Sequence, residues 1–344
     1  MTSFHYANYV DFNIFSAYYT KMTNTLNKHI REIDGNAQRQ YIDAKAVFTA
    51  LEEARKSAAE VRGGMLWKTQ NGTDYLIRTT TRRGQKSLGP RSEQNEKIFV
   101  EFTARKRRVE QRVSELRKEL ERHRRLNKIY HVGRAPDMLV AILNKLAASG
   151  LSEYFTVIGT HSLYAYEAAA GVRFELNEAL ETKDIDLLWD TRKRLSFLGQ
   201  MEVLGSSFLA LLRQVDATFE LRRDQLYTAV NNHGFEVDVV RRVAKDSDPH
   251  PLKLTDHDDE FYAVQAEKAG ILLDGEKFSS MIVSSTGRMA RMHTISPAVF
   301  VRLKQWLGER DSRDPLKRKR DLLQAELVEK MLEEYPLGIP ATKA

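Results

Sequence analysis

Two short stretches decide the reading of this chain: Val157-Ile158-Gly159-Thr160-His161-Ser162, and downstream of it Thr182-Lys183-Asp184-Ile185-Asp186-Leu187-Leu188-Trp189. Each joins an apolar run to a polar feature. In a strand, alternate residues share a face and lie about 6.5 Å apart, so Asp184 and Asp186 present two carboxylates to one cleft while Ile185 and Leu187 face a core. A further alternating strand, Phe235-Glu236-Val237-Asp238-Val239-Val240, follows the turn signal Asn231-Asn232-His233-Gly234 and supplies more acid. Glu236 and Asp238 share a face, so the pattern leaves either as a third carboxylate. Gly159 ends its strand and a helical pattern runs from Ser162 to Ala169. The Gly-Thr-His-Ser turn therefore sits at a helix N-terminus, where backbone N–H groups suit phosphate oxygens. Thr160 or Ser162 adds a hydroxyl there, and His161 reads as a turn residue rather than a catalytic one.

The order of glycine turn, Asp-x-Asp strand and third acid resembles the nucleotidyltransferase-fold superfamily, the DNA polymerase beta-like enzymes. The likeness covers roughly Val140 to Leu332. It is nearer to the bacterial branch with the abortive-infection toxin nucleotidyltransferases, in which a basic residue and a Thr precede the Asp pair, as Arg173 and Thr182 do here. The sequence departs from that pattern at Thr160, where the family usually has Gly or Ser. The resemblance implies an α+β fold with a nucleotidyltransferase-fold core, a mixed sheet flanked by helices. It implies transfer of a nucleoside monophosphate from a nucleoside triphosphate (NTP) to a hydroxyl acceptor, an RNA such as transfer RNA, or a protein. Family position selects Asp238 as the third carboxylate. Two divalent ions, Mg2+ or Mn2+, are then expected, one on Asp184, Asp186 and Asp238 and one on Asp184 and Asp186. Nucleotide contacts are expected from Gly159, Thr160 and Ser162, and from Lys304 on the helix that Ser296-Pro297 opens. The segment Asp311 to Asp321 matches an Arg-x-x-x-Lys-x-x-x-Asp arrangement of the same branch; an i,i+4 pair of Lys317 with Asp321 also explains it.

Upstream, residues 1–132 form a different region. Tyr18, Met22, Leu26 and Ile30 make one helical stripe and Val47, Leu51, Ala54 and Ala58 another. Between 64 and 91 the pattern turns to short strands around Asn71-Gly72, a small antiparallel sheet whose Arg78, Arg82, Arg83 and Lys86 are candidate nucleic-acid contacts. A solvated hairpin covering a helix explains the same residues. From about 95 to 128, Phe102, Val109, Val113, Leu116 and Leu120 make a long helix with a narrow apolar seam. The seam needs a partner, either an earlier helix or a second copy of the protein. Gly133-Arg134-Ala135-Pro136 marks the boundary to a catalytic domain over 133–344.

Composition bounds the rest. The 344 residues contain no cysteine, which excludes disulfides, thiolate catalysis and Cys-based zinc sites. The net charge of +7 favours an anionic partner. No apolar run is long enough for a bilayer and Met1-Thr2-Ser3-Phe4-His5 lacks the regions of a signal peptide, so the expected compartment is the cytoplasm, with no membrane partner. No phosphate-loop, zinc-helix or nucleophile-elbow motif competes. The alternative class is a catalytically inactive nucleotidyltransferase-fold protein that binds nucleic acid or drives assembly. The sequence leaves open which nucleotide is used, ATP or another.

Overall fold

The computed structural model describes residues 29–80, 84–180, 182–245, 248–335 and 337. Tyr18, Met22, Leu26, Arg82 and Arg83 lie outside the described residues. Contacts divide the described residues into a smaller unit, Gly35–Val132, and a larger one joining residues 29–34 to those from Gly133 onward.

After strand β1 (Ile30–Glu32), which belongs to the larger unit, helix α1 (Gly35–Glu60) opens the smaller one. Strands β2 (Gly64–Gln70), β3 (Thr73–Thr79) and β4 (Gln85–Pro90) follow as an antiparallel sheet, and helix α2 (Glu93–Ile129) closes the unit. Asn71 and Gly72 both have positive φ, 51° and 79°, the conformation a two-residue hairpin turn requires. Ser92 caps α2 by accepting from the Asn95 amide at 3.2 Å. The seam of α2 closes within the chain: Val113 and Leu116 are buried with Leu51 and Ala54 of α1, and Leu120, Val47 and Ala58 pack around them. These positions need no second copy of the protein. A polar layer continues the seam, where buried Gln40 Nε2 donates to Asn127 Oδ1 at 2.9 Å and meets His123 Nδ1 at 3.0 Å.

The larger unit runs through α3 (Asp137–Ala148), β5 (Phe155–Ile158), α4 (Ser162–Ala170), β6 (Val172–Phe174), α5 (Asn177–Leu180) and β7 (Asp184–Trp189). It continues with α6 (Arg194–Leu204), α7 (Phe208–Arg213), β8 (Glu220–Leu221), β9 (Thr228–Val230), β10 (Glu236–Arg242) and β11 (Val264–Ala266). Helix α8 (Ala269–Asp274), the hairpin β12 (Lys277–Val283) and β13 (Met289–Ile295), and helices α9 (Pro297–Gly308) and α10 (Pro315–Glu334) complete it. Its main sheet has the order β12-β13-β5-β7-β10-β9-β8, with β11 pairing the end of β10; β1 and β6 form a separate antiparallel pair. The sheet is mixed: β7 and β10 are parallel, β5 and β7 antiparallel.

Burial explains the central place of β7. Ile185, Leu187, Leu188 and Trp189 are fully buried, and Trp189 meets the Phe197 ring of α6 at 5.2 Å. Helices α3 and α4 pack against β13 and β12, and the same core reaches Leu327, Val328 and Met331 of α10. Ser296 caps α9 with Pro297 in its first turn, and Asp314 caps α10 with Pro315 in the same place. The architecture is α+β, a mixed sheet flanked by helices, with a small antiparallel sheet in the other unit. No helix among the described residues is long and apolar enough to cross a membrane.

Candidate active site

Two parallel strands bring the acids together. In the register of β7 with β10, Asp184 stands beside Glu236 and Asp186 beside Asp238. Ile185, Leu187, Val237 and Val239 are fully buried on the opposite face, so the period of two places all four carboxylates on one side of the sheet. Burial first, then the charges of Asp184 and Asp238, push the Asp186 carboxyl up to about 7. Burial also raises Asp238, against a 2.5 Å hydrogen bond from the Thr228 hydroxyl of β9. Asp184 accepts from the Thr182 hydroxyl, and Glu236 is held by Arg222 at 3.1 Å.

The glycine turn faces this cluster across a strand. Ile158 pairs with Asp186, and the next residue, Gly159, has φ +77°; a side chain there would also collide with Asp186 Oδ2. The N–H groups of Ser162, Leu163 and Tyr164 close short turns onto Gly159, Thr160 and His161 carbonyls. Among the described residues no acceptor meets the N–H of Gly159, Thr160 or His161, so the amides of the turn are open to an anion. Thr160 Oγ1 accepts from Gln324 Nε2 of α10 at 3.0 Å, so its own proton is available to another group. Ser162 behaves differently from the expectation. Fully buried, its hydroxyl accepts from Thr294 Oγ1 at 2.8 Å and faces the Val157 carbonyl, so it holds α4 to the sheet rather than a nucleotide. His161 is buried between Tyr164 and Phe235, and burial lowers it to about 4, so its ring is neutral near pH 7.

Lys304 also departs from its expected place as a phosphate contact. It is buried in α9 with its ammonium on Asp321 of α10 at 2.7 Å, and Arg313 reaches the other Asp321 oxygen at 2.5 Å. Asp321 therefore serves Lys304 and Arg313 rather than the exposed Lys317 expected from i,i+4 spacing. Both cations act on Asp186 through their charge and oppose the rise in its pKa.

Residues 137–341 match the model of a family described as Nucleotidyltransferase. The chain belongs to this nucleotidyltransferase family. Membership carries nucleotidyl transfer as its general chemistry and implies an NTP as substrate. The chain matches no curated protein and no solved structure.

Nucleotidyltransferases generally use divalent metal. Among the described residues of this one, no three His, Asp or Glu side chains converge as a ready metal cage; Asp184 and Asp238 turn instead to the Thr182 and Thr228 hydroxyls. The donor set still has the chemistry a hard cation needs. Carboxylates on adjacent strands share one face, and their mutual repulsion on half-buried Asp186 is relieved by positive charge between them.

Several neighbours of this nucleotidyltransferase cleft were not legible as such: Thr228, Arg222 and Gln324. Thr228 and Arg222 precede the β10 strand by a hairpin, so the turn at Asn231-Gly234 was the signal that β9 would lie beside Asp238. For Gln324 no signal exists, because its contact joins residues 164 apart. In the smaller unit, Arg78 is not a free nucleic-acid contact. Its guanidinium donates to the Gly64, Thr79 and Arg62 carbonyls and covers the Phe102 ring at 4.3 Å. Lys86 is exposed on β4.

Proposed function

We propose that this protein is a divalent-metal-dependent nucleotidyltransferase that moves a nucleoside monophosphate from an NTP to a hydroxyl acceptor. The observation that carries the reading is the register of β7 and β10, which sets Asp184, Asp186 and Asp238 on one face beside the Gly159 turn. Asp184, Asp186 and Asp238 would hold Mg2+ or Mn2+, which when bound offsets charge on the triphosphate and lowers the pKa of the attacking hydroxyl. The Gly159, Thr160 and His161 amides and the Thr160 hydroxyl receive the outgoing phosphates, with Gln324 fixing that hydroxyl as a donor. The acceptor oxygen forms a bond to the α-phosphorus, the bond from that phosphorus to the bridging oxygen breaks, and pyrophosphate leaves. Asp238 takes the acceptor's proton. Lys304 and Arg313, fixed by Asp321, hold positive potential at Asp186.

Arg173 and Thr182 ahead of the Asp pair support the abortive-infection toxin branch, with an RNA such as transfer RNA, or a protein, as acceptor. The test is incubation of the full chain with each of the four α-labelled NTPs, Mg2+, and cellular RNA and protein. Label on RNA or protein with the wild type, absent with folded Asp184→Ala and Asp186→Ala, supports the reading. Absence of label with every nucleotide favours a binding protein built on the same fold.

A further inference from the structure

Charge is divided unevenly between the two units. Gly35–Val132 holds 23 Lys and Arg against 12 Asp and Glu, a net +11, whereas the rest of the chain holds 31 against 35, a net −4. Excess charge of one sign opposes the compact state by self-repulsion, so a concentration of this size points to an anionic partner of the smaller unit.

The fold says where that partner sits. Arg78 is taken up by carbonyls, and Arg91 pairs with Asp74 and Glu96, which removes two arginines of the sheet from the count of free cations. On α2 the apolar seam through Val113, Leu116 and Leu120 faces α1. Arg107, Lys118 and Arg125 are spaced by eleven and seven residues, close to three and two whole turns, and project from the opposite side. All three are exposed, and none forms an ion pair among the described residues. They span about 27 Å along the helix at 1.5 Å per residue. Arg117, also exposed, adds to this charge. It lies close enough to Arg55 of α1 that, after burial, its charge is the next cause lowering the Arg55 pKa, so two like charges face each other.

We propose that this outer face of α2 binds the phosphate backbone of a base-paired RNA, the acceptor of the transfer reaction. Pairing follows from the aromatic residues. Single strands are held by stacking on exposed rings, but Trp67 packs on Phe99 at 5.9 Å under the Arg91 guanidinium, and Phe102 lies under Arg78. No Phe, Trp or Tyr stands between Arg107 and Arg125, and the exposed Tyr130 follows the last turn of α2; a row of cations without a stacking platform suits a duplex read by its backbone. The choice of RNA rests on the proposed hydroxyl-directed transfer in the larger unit, since RNA carries a 2′-hydroxyl on every nucleotide as well as its terminal hydroxyls.

The test measures binding of the full chain to an RNA stem-loop of about 20 base pairs across a salt series, with a DNA hairpin of the same sequence beside it. The neutralised variant Arg107→Gln, Lys118→Gln, Arg125→Gln is compared with Arg288→Gln, Arg302→Gln, Lys319→Gln in the larger unit, both checked for folding by circular dichroism. The expected result is RNA binding with a salt slope shallower by about two to three in the first variant, and affinity weaker by at least about tenfold near 0.15 M salt, with the second variant like wild type. Wild-type affinity in the first variant, or equal affinity for the DNA hairpin, overturns the proposal. The two readings fail separately. Loss of RNA binding in the first variant from a wild type that transfers no nucleotide refutes the transferase and leaves the surface standing; transfer to RNA with an unchanged RNA KM in that variant refutes the surface alone.

Discussion

Asp186 and Asp238 stand side by side as register partners on parallel strands, and the first of them is half-buried with its carboxyl pushed up to about 7. Crowded carboxylates of this kind are tolerated for a function rather than for stability. Asp186→Asn removes the repulsion while keeping the volume. The variant is expected to melt no lower than wild type in chelator at pH 8, and to lose transfer by about a thousandfold or more. A variant that melts well below wild type would show that Asp186 is a structural residue.

Cation binding at the cluster is expected to stabilise the wild type. Mg2+ at a hundredfold excess over its Kd adds about 2.7 kcal/mol, a rise in Tm of several degrees. The Asp184→Ala, Asp186→Ala variant is expected to show no such rise in the same calorimetric scan, and an equal rise in both would place the binding elsewhere.

Asp321 neutralises two buried or half-buried cations at once, Lys304 and Arg313. Asp321→Asn leaves them unpaired and is expected to cost about 3–5 kcal/mol in urea unfolding. Lys304→Met combined with Asp321→Asn is expected to cost less than the sum of the two single changes, because the second removes a group the first has already stranded.

Thr160 owes its free proton to Gln324. Gln324→Leu is expected to raise KM for the NTP more than it lowers kcat, and Thr160→Val to do the same. The pair combined is expected to be little worse than Thr160→Val alone. Additive losses would separate Gln324 from the hydroxyl.

How much of this was legible depends on range along the chain. The alternation of Asp184-Ile185-Asp186 and Glu236-Val237-Asp238 exposes the carboxylate face because a strand's period is fixed by its backbone, and the helix start at Ser296-Pro297 is local chemistry. The turn at Gly159 was legible, yet the fate of its hydroxyls was not: Ser162 is claimed by Thr294 of a strand far along the chain. Lys304 misled for the same reason. Its sequence neighbourhood shows a helix with a cation, while the side chain's burial is decided by α10 folding back over it. The seam of α2 left two partners open, and the Val47–Ala58 stripe of α1 supplies the one the chain uses.

Position of label distinguishes metal-dependent nucleotidyl transfer at Asp184, Asp186 and Asp238 from phosphoryl transfer. Wild type is incubated with Mg2+, cellular RNA and protein, and one NTP carrying label on either the α- or the γ-phosphorus. The expected result is α-label joined to a macromolecule and γ-label released as pyrophosphate, both abolished by Asp186→Asn and by chelator. γ-Label on the acceptor, or α-label transferred equally by Asp186→Asn, would contradict it.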